Sequence, residues 1–301
     1  MIKFIITLLI ILPIATVNAK ETYEPFINQA LASNDIDQHI VAGYLAKSNE
    51  LHYSNQQLYS RALKLAPNNI YLLEQMTRFC NDNSTICQKK NKYLKRLEKQ
   101  DNKNSVPNLY SIIYFSKNKQ YSKALRQLKK AVKKKVYEDY NWKRFFLVDK
   151  TLNSHNFKYN QAKRAAINTL FIDFDSEPMV KIINLCVNQS KINDQWIEPC
   201  IQLGKIMETS STMVLSTFLG YAIQREVLAL DKNRIVELEN VKQRRDVFHQ
   251  FRIRVVENIK YASMGDDVNF DDIPEVFFQD LEIFGERVAL QRALDRLTID
   301  E

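Results

Sequence analysis

The sequence predicts an all-α protein in which helical hairpins follow one another and a helical cap closes the C-terminal end. Only five glycines occur in 301 residues, too few for the many turns of a β-rich protein of this length. A helix that ends at a proline and a turn is predicted over residues 59–69, and a similar helix recurs over residues 121–131. Ala62 and Ala131 are 69 positions apart, close to two periods of a ~34-residue helix–turn–helix repeat.

Residues 1–19 have the pattern of a signal peptide. Lys3 is the only charged residue before Lys20, residues 4–14 form an apolar run interrupted by Pro13, and Ala19 ends a stretch of small residues. The apolar run is shorter than the ~20 residues that span a bilayer. We therefore expect cleavage after Ala19 and a periplasmic or secreted protein; an uncleaved membrane anchor is the alternative.

Residues 20–138 are expected to hold an initial helix and three hairpins. The initial helix covers residues 20–33, and the first hairpin pairs residues 37–48 with 55–65, where Pro67 ends the second helix. Gly43 marks a place where two helices can approach closely. A second, degenerate hairpin spans residues 69–99. Pro107 then begins the third hairpin, which ends with the helix at 121–131.

The third hairpin resembles a tetratricopeptide repeat. Tyr121, Ala124, Leu128 and Ala131 match the aromatic, small, large and small positions of that family's second helix. Ile112 and Phe115 of this hairpin fill positions of the family's first helix, where the family prefers Gly at the first of the two. In the first hairpin Gly43, Tyr59, Ala62 and Pro67 match, whereas Asn55 departs from the family's Ala. The resemblance covers residues 37–138, and another α-solenoid or a helical bundle is the alternative. It implies a partner-binding concave face formed by the first helix of each hairpin, lined by Tyr44, Leu109, Ile113, Ser116 and Lys117.

Residues 139–301 are expected to continue as helical hairpins and to end in a cap that covers the last apolar face of the array. The expected helices cover residues 141–151, 159–171, 178–187, 194–207, 212–230, 234–262 and 274–297.

Four cysteines accompany the predicted export signal, and an even number in an exported chain suggests disulfides. Four cysteines allow three pairings. Positions near the ends of successive predicted helices favour Cys80–Cys87 and Cys186–Cys200. A zinc site is the weaker alternative, since there is no C-x-x-C and no histidine at ligand spacing.

Charge is distributed unevenly along the chain. Residues 89–135 contain sixteen Lys or Arg against two acidic residues, whereas residues 264–301 contain eleven Asp or Glu against three Arg. Such a basic stretch can bind an anionic lipid, a polysaccharide or an acidic protein. The expected patch consists of Lys123, Lys129, Lys130, Lys133 and Lys134. Two alternatives are ordinary solvated helix faces and pairing with the acidic C-terminal segment.

No nucleophile elbow, phosphate-binding loop, zinc-protease motif or dinucleotide-binding turn occurs in the sequence. Asp267, Asn269 and Asp271 match the first half of a calcium loop, but Asp272 replaces the turn glycine and Phe278 stands at the position of the bidentate glutamate. Asp173 and His155 have no identifiable acid–base partner. We therefore expect no enzyme activity and no cofactor or metal.

These patterns favour an exported adaptor or scaffold of the cell envelope that binds a protein partner. The alternative is a protein that binds anionic envelope components through residues 89–135. The export signal argues against nucleic acid as a partner, and no oligomeric state follows from the sequence.

Overall fold

The computed structural model describes residues 19–48, 55–78, 89–172, 176–259 and 272–299. Over these residues the fold is all-α: fifteen α-helices follow one another without a β-strand, and neighbouring helices pack as hairpins in series. The predicted hairpin solenoid is therefore confirmed. Residues 1–18, which carry most of the expected signal peptide, lie outside the described residues. No helix in the described ranges is both long and apolar enough to cross a membrane.

The first seven helices match the predicted initial helix and three hairpins. They are α1 (Ala19–Ala32), α2 (Ile36–Ser48), α3 (Asn55–Leu65), α4 (Ile70–Arg78), α5 (Lys90–Gln100), α6 (Val106–Lys117) and α7 (Tyr121–Ala131). Helix α2 packs on α3, α4 on α5 and α6 on α7. Pro107 lies in the first turn of α6, where its missing N–H removes no helical hydrogen bond. A Cβ on Gly43 would lie 2.4 Å from the Tyr59 ring, so the expected close approach of α2 and α3 is present.

Eight further helices lie in the described residues from 141 to 299. They are α8 (Asn141–Asn153), α9 (Tyr159–Ile172), α10 (Ser176–Ser190), α11 (Ile197–Ser210), α12 (Val214–Leu228), α13 (Ile235–Asn258), α14 (Glu275–Phe284) and α15 (Glu286–Ile299). Helix α8 packs on α9, α11 on α12 and α14 on α15.

The single helix predicted over residues 274–297 is wrong, because the structure has two helices there. Gly285 separates α14 from α15 with a φ of +80°, a conformation that residues with a side chain rarely adopt. A Cβ at Gly285 would also lie 2.7 Å from Cβ of Thr212. The sequence pattern stays apolar and helical on both sides of this glycine, which is why periodicity alone missed the break.

The two halves of the chain pack against each other. Helices α8 and α9 pack on α2, α10 packs on α6, and α11 packs on α7. The buried apolar side chains form one core cluster that runs from Phe26 in α1 to Ala293 in α15. The later helices therefore cover part of the surface that an open repeat array would expose.

Two glycines set the close crossing of α11 and α12. A Cβ on Gly204 would lie 2.7 Å from the carbonyl oxygen of Gly220, and a Cβ on Gly220 would lie 2.6 Å from that of Gly204. Since backbone atoms cannot move aside, only glycine permits this approach. The crossing holds buried Glu208 beside Gln224, whose Nε2 donates to Glu208 Oε2 at 2.8 Å.

Candidate binding surfaces

The residues expected to line a concave face differ widely in exposure. Tyr44 is 2% exposed and Leu109 is fully buried. Ile113 and Ser116 are half-buried, and only Lys117 is exposed. Tyr44 and Leu109 therefore offer no surface to a partner in this structure, which corrects that part of the expectation.

The burial of Tyr44 follows from the way the second half of the chain folds back. Arg144 of α8 is buried, and its guanidinium carbon lies 6.0 Å from the centroid of the Tyr44 ring. The ring of Tyr59 contacts Tyr44 on the α3 side, with a centroid distance of 6.4 Å. Helices α8 to α10 thus occupy the space beside α2 and α6 that an open array would leave to a ligand.

Helix α7 has one buried side and one cationic side. Ala124, Leu128 and Ala131 are buried, as the repeat-like spacing predicts, and Leu125 is buried beside them. The exposed side carries Lys123, Lys129 and Lys130, and exposed Lys133 follows just after the end of the helix. We call these four lysines the lysine face.

The lysine face is not neutralised by the rest of the described chain. None of the ion pairs among the described residues involves these four lysines. Lys123 lies over the Phe115 ring at 5.8 Å from its centroid, and Lys129 Nζ donates to Gln195 Oε1 at 3.3 Å. Neither contact removes the positive charge, so the face presents a concentrated positive potential to solvent.

Lys134, the fifth residue of the expected patch, has a different environment. It is half-buried, and its Nζ donates to the carbonyl oxygen of Asn104 at 2.9 Å. Burial lowers the pKa of Lys134 below its ordinary value. Lys134 therefore ties the end of the third hairpin to the loop before α6, and we exclude it from the lysine face.

The predicted disulfide between Cys186 and Cys200 is confirmed. It joins α10 to α11, as expected from their positions at neighbouring helix ends. Cys80 and Cys87, the other expected pair, lie outside the described residues.

The described residues contain no cluster of three or more His, Cys, Asp or Glu side chains that could hold a metal ion. The calcium-like positions Asp267, Asn269 and Asp271 lie outside the described residues, as does Asp173. His155 Nδ1 lies 2.8 Å from the Thr151 carbonyl oxygen, and its ring packs edge-on against Phe26. These contacts give His155 a packing role.

A groove that the sequence did not indicate lies between α13 and α15, with α11 and α12 at its base. Its volume is 890 Å³, within the range of ligand sites. Three aromatic side chains form its floor: Tyr221, Phe248 and Phe251. Four guanidinium groups surround this floor, and we call the site the arginine groove: Arg244, Arg254, Arg287 and Arg292.

One sequence feature accounts for part of the arginine groove. The three basic residues of the acidic segment 264–301 are Arg287, Arg292 and Arg296, and all lie on α15. Two of them line the groove. The other groove arginines come from α13, so only the packing of α13 near α15 assembles the site.

Comparison with protein-family models, with curated proteins and with solved structures found no match. The assignment of function therefore depends on the surfaces of this chain.

Proposed function

We propose that this chain is an exported, non-catalytic adaptor of the cell envelope, built on tetratricopeptide-like hairpins, that binds an acidic segment of a partner protein on the lysine face. The observation that carries the proposal is the unpaired state of Lys123, Lys129, Lys130 and Lys133 among the described residues. The N-terminal pattern supports the location, and the buried small and large residues of α7 support the resemblance to the repeat family.

An acidic protein segment fits this surface better than a membrane does. Membrane-surface helices insert an apolar face between lipid headgroups. The apolar side of α7 is buried in the core, and Tyr121, 40% exposed, is the one large apolar side chain that α7 exposes. Binding to a bilayer would depend on charge alone, whereas a protein segment can add hydrogen bonds from its own backbone.

Binding of a labelled oligoglutamate peptide tests the proposal. The chain from residue 20 onward should bind the peptide, and substitution of all four face lysines by Gln should abolish binding. A matched control carries Gln at four exposed lysines outside the face: Lys150, Lys158, Lys191 and Lys232. This control changes the net charge equally and should retain binding.

A second experiment measures binding of the chain to vesicles of phosphatidylcholine with and without phosphatidylglycerol. If the parent chain binds anionic vesicles and not oligoglutamate, and the lysine-face variant fails to bind these vesicles, a lipid-binding function replaces the adaptor. Equal weakening of peptide binding by both variants would overturn the proposal, because net charge alone would then explain it.

A further inference from the structure

We infer that the arginine groove is a second binding site, which takes a protein segment carrying a large apolar side chain between two acidic residues. This site goes beyond the proposed function, because it lies on α13 and α15 rather than on α7. It also uses a different cation: the described residues that line it include four arginines and no lysine.

Two of the groove arginines form ion pairs within the described chain, and the other two are available to a ligand. Arg244 Nε donates to Glu208 Oε1 at 2.7 Å, and Arg292 Nη1 pairs with Asp280 Oδ1 at 2.7 Å. Arg254 and Arg287, in contrast, form no ion pair within the described part of the chain. Two guanidinium groups, one from each wall, are thus available for carboxylates.

The engaged arginines are held by buried carboxylates. Glu208 lies at the crossing of α11 and α12, where Gln224 also bonds to it. Asp280 is 7% exposed and accepts from both Arg292 and Arg296. One carboxylate shared by two guanidinium groups leaves a net positive charge at that end, so the groove remains cationic despite these pairs.

Arg287 is also oriented by an aromatic ring. Its guanidinium carbon lies 5.3 Å from the centroid of Phe248, within the range of a cation–π contact. This contact limits the conformations of the side chain before any ligand arrives. A guanidinium fixed in this way can form a two-point contact with a carboxylate at a lower entropic cost than a free lysine.

The groove also exposes apolar surface on the two helices that carry the available arginines. The rings of Phe248 and Phe251 are nearly covered, but Val247 is 68% exposed and Val288 is 40% exposed, and both line the groove. These valines belong to α13 and α15, so each wall of the groove offers exposed apolar surface. The pattern of charge, apolar surface and charge defines the expected ligand.

A peptide segment fits this geometry better than an acyl chain. The floor rings are at most 9% exposed, and the groove is open to solvent, so it offers no enclosed apolar tunnel. An apolar side chain can contact the exposed valines, and acidic side chains of the same segment can pair with Arg254 and Arg287. Helices that bind in grooves use anchors of this kind.

The test uses a short, capped and labelled peptide with the sequence Asp-Phe-Asp at its centre, titrated with the full chain and followed by fluorescence anisotropy. We expect saturable binding that falls at least about tenfold in the Arg254→Gln, Arg287→Gln double variant. The corresponding Asn-Phe-Asn and Asp-Ala-Asp peptides should also bind at least about tenfold more weakly. Arg126→Gln with Arg164→Gln is the matched control, since both arginines are exposed and outside the groove.

Val288→Glu provides a second variant at an exposed position, where it adds a carboxylate to the groove without removing an arginine. It should weaken Asp-Phe-Asp binding and leave the thermal unfolding temperature unchanged. Equal affinity of the three peptides, or equal loss in the groove and control double variants, would overturn the inference. Displacement of the peptide by anionic vesicles but not by unlabelled peptide would overturn it too.

Discussion

The lysine face and the arginine groove are both cationic, but they differ in shape and in pairing. The lysines lie on the outer side of α7 and just after its end, and no carboxylate of the described chain neutralises them. The arginines surround a concave floor, and Arg244 and Arg292 are held by buried carboxylates while Arg287 lies on an aromatic ring. The lysine face is therefore a cluster of exposed charges without ion-pair partners in the described chain, and the arginine groove is a preorganised site.

This difference shows why the choice between lysine and arginine matters. An ammonium group is a compact, strongly hydrated charge on a flexible stem, which suits long-range attraction without strict geometry. A guanidinium group is planar, forks two hydrogen bonds and stacks on rings, which suits recognition at fixed positions. We therefore expect binding to the lysine face to depend steeply on salt, and binding to the arginine groove to depend mainly on ligand geometry.

The largest expected effect is on the free energy of unfolding, and it distinguishes a buried lysine from an exposed one. Lys163 is buried, pairs with Asp149 at 2.7 Å and lies 4.1 Å from the centroid of the Phe278 ring. Lys163→Met should lower the free energy of unfolding by about 3–5 kcal/mol, because it leaves the Asp149 carboxylate buried without its partner. Lys129→Met on the lysine face should change it by less than about 0.5 kcal/mol.

Chemical denaturation of both variants measures these effects. Addition of Asp149→Leu to Lys163→Met should recover most of the lost stability, since the unpaired charge is then removed. A similar small change at both lysines would mean that burial does not distinguish them.

The next effect concerns the hairpin that connects the two surfaces. The Cys186–Cys200 bond links α10 to α11, and these helices contact α6, α7 and α12. Replacement of both cysteines by Ala should lower the unfolding free energy by about 3 kcal/mol, mainly through the greater freedom of the unfolded chain. Equilibrium denaturation without reductant gives the value, and an unchanged stability would contradict the disulfide's structural role. Binding of the Asp-Phe-Asp peptide below the unfolding transition should persist.

A pH effect is expected at the start of α15, where Glu286 precedes Arg287. Its Oε2 accepts from the Val214 amide at 2.9 Å. Burial raises the pKa of Glu286 from 4.5 to about 7; the Val214 amide opposes this shift and Asp139 adds to it. Since the unfolded chain releases this proton near the ordinary value, the folded state loses stability as the pH rises from about 4.5 through 7.

Glu286→Gln should remove that loss, on the order of 2–3 kcal/mol, and make the variant more stable than the parent above about pH 7. Denaturation curves from about pH 5 to about pH 8 measure the difference. Glu282→Gln, at an exposed position on α14, is the matched control and should retain the parent's dependence. An identical pH profile for parent and Glu286→Gln would contradict this account.

The smallest expected effect on stability concerns the crossing of α11 and α12, which positions Glu208 beside Arg244 of the arginine groove. Gly220→Ala would place a Cβ 2.6 Å from the Gly204 carbonyl oxygen. The crossing of α11 and α12 must then widen, which should cost about 2 kcal/mol and shift Glu208 away from Arg244. Thermal unfolding and Asp-Phe-Asp binding should both fall, whereas oligoglutamate binding should persist. Ser122→Ala on the exposed side of α7 is the control. If Gly220→Ala retains both the stability and the peptide binding of the parent, the crossing of α11 and α12 is not rigid.

The sequence predicted most helix positions, the lysine side of α7 and one disulfide, because prolines, polar turns and helical periodicity are local signals. It did not predict the burial of Tyr44, since that depends on Arg144 and α8, which come a hundred positions later in the chain. The arginine groove was missed for the same reason. Arg254 and Arg287 belong to separate helices, and no local pattern reveals that their side chains share a site.

The most direct test of the central claim, that the two cationic surfaces are separate sites, is a crossed titration. Labelled oligoglutamate and Asp-Phe-Asp peptides are each titrated with the parent, the four-lysine variant and the Arg254→Gln, Arg287→Gln variant, at low and high salt. We predict that the lysine variant loses only oligoglutamate binding and that the arginine variant loses only Asp-Phe-Asp binding. High salt should weaken the oligoglutamate complex more. Equal loss of both peptides in both variants would contradict this prediction, because a single diffuse positive charge would then suffice.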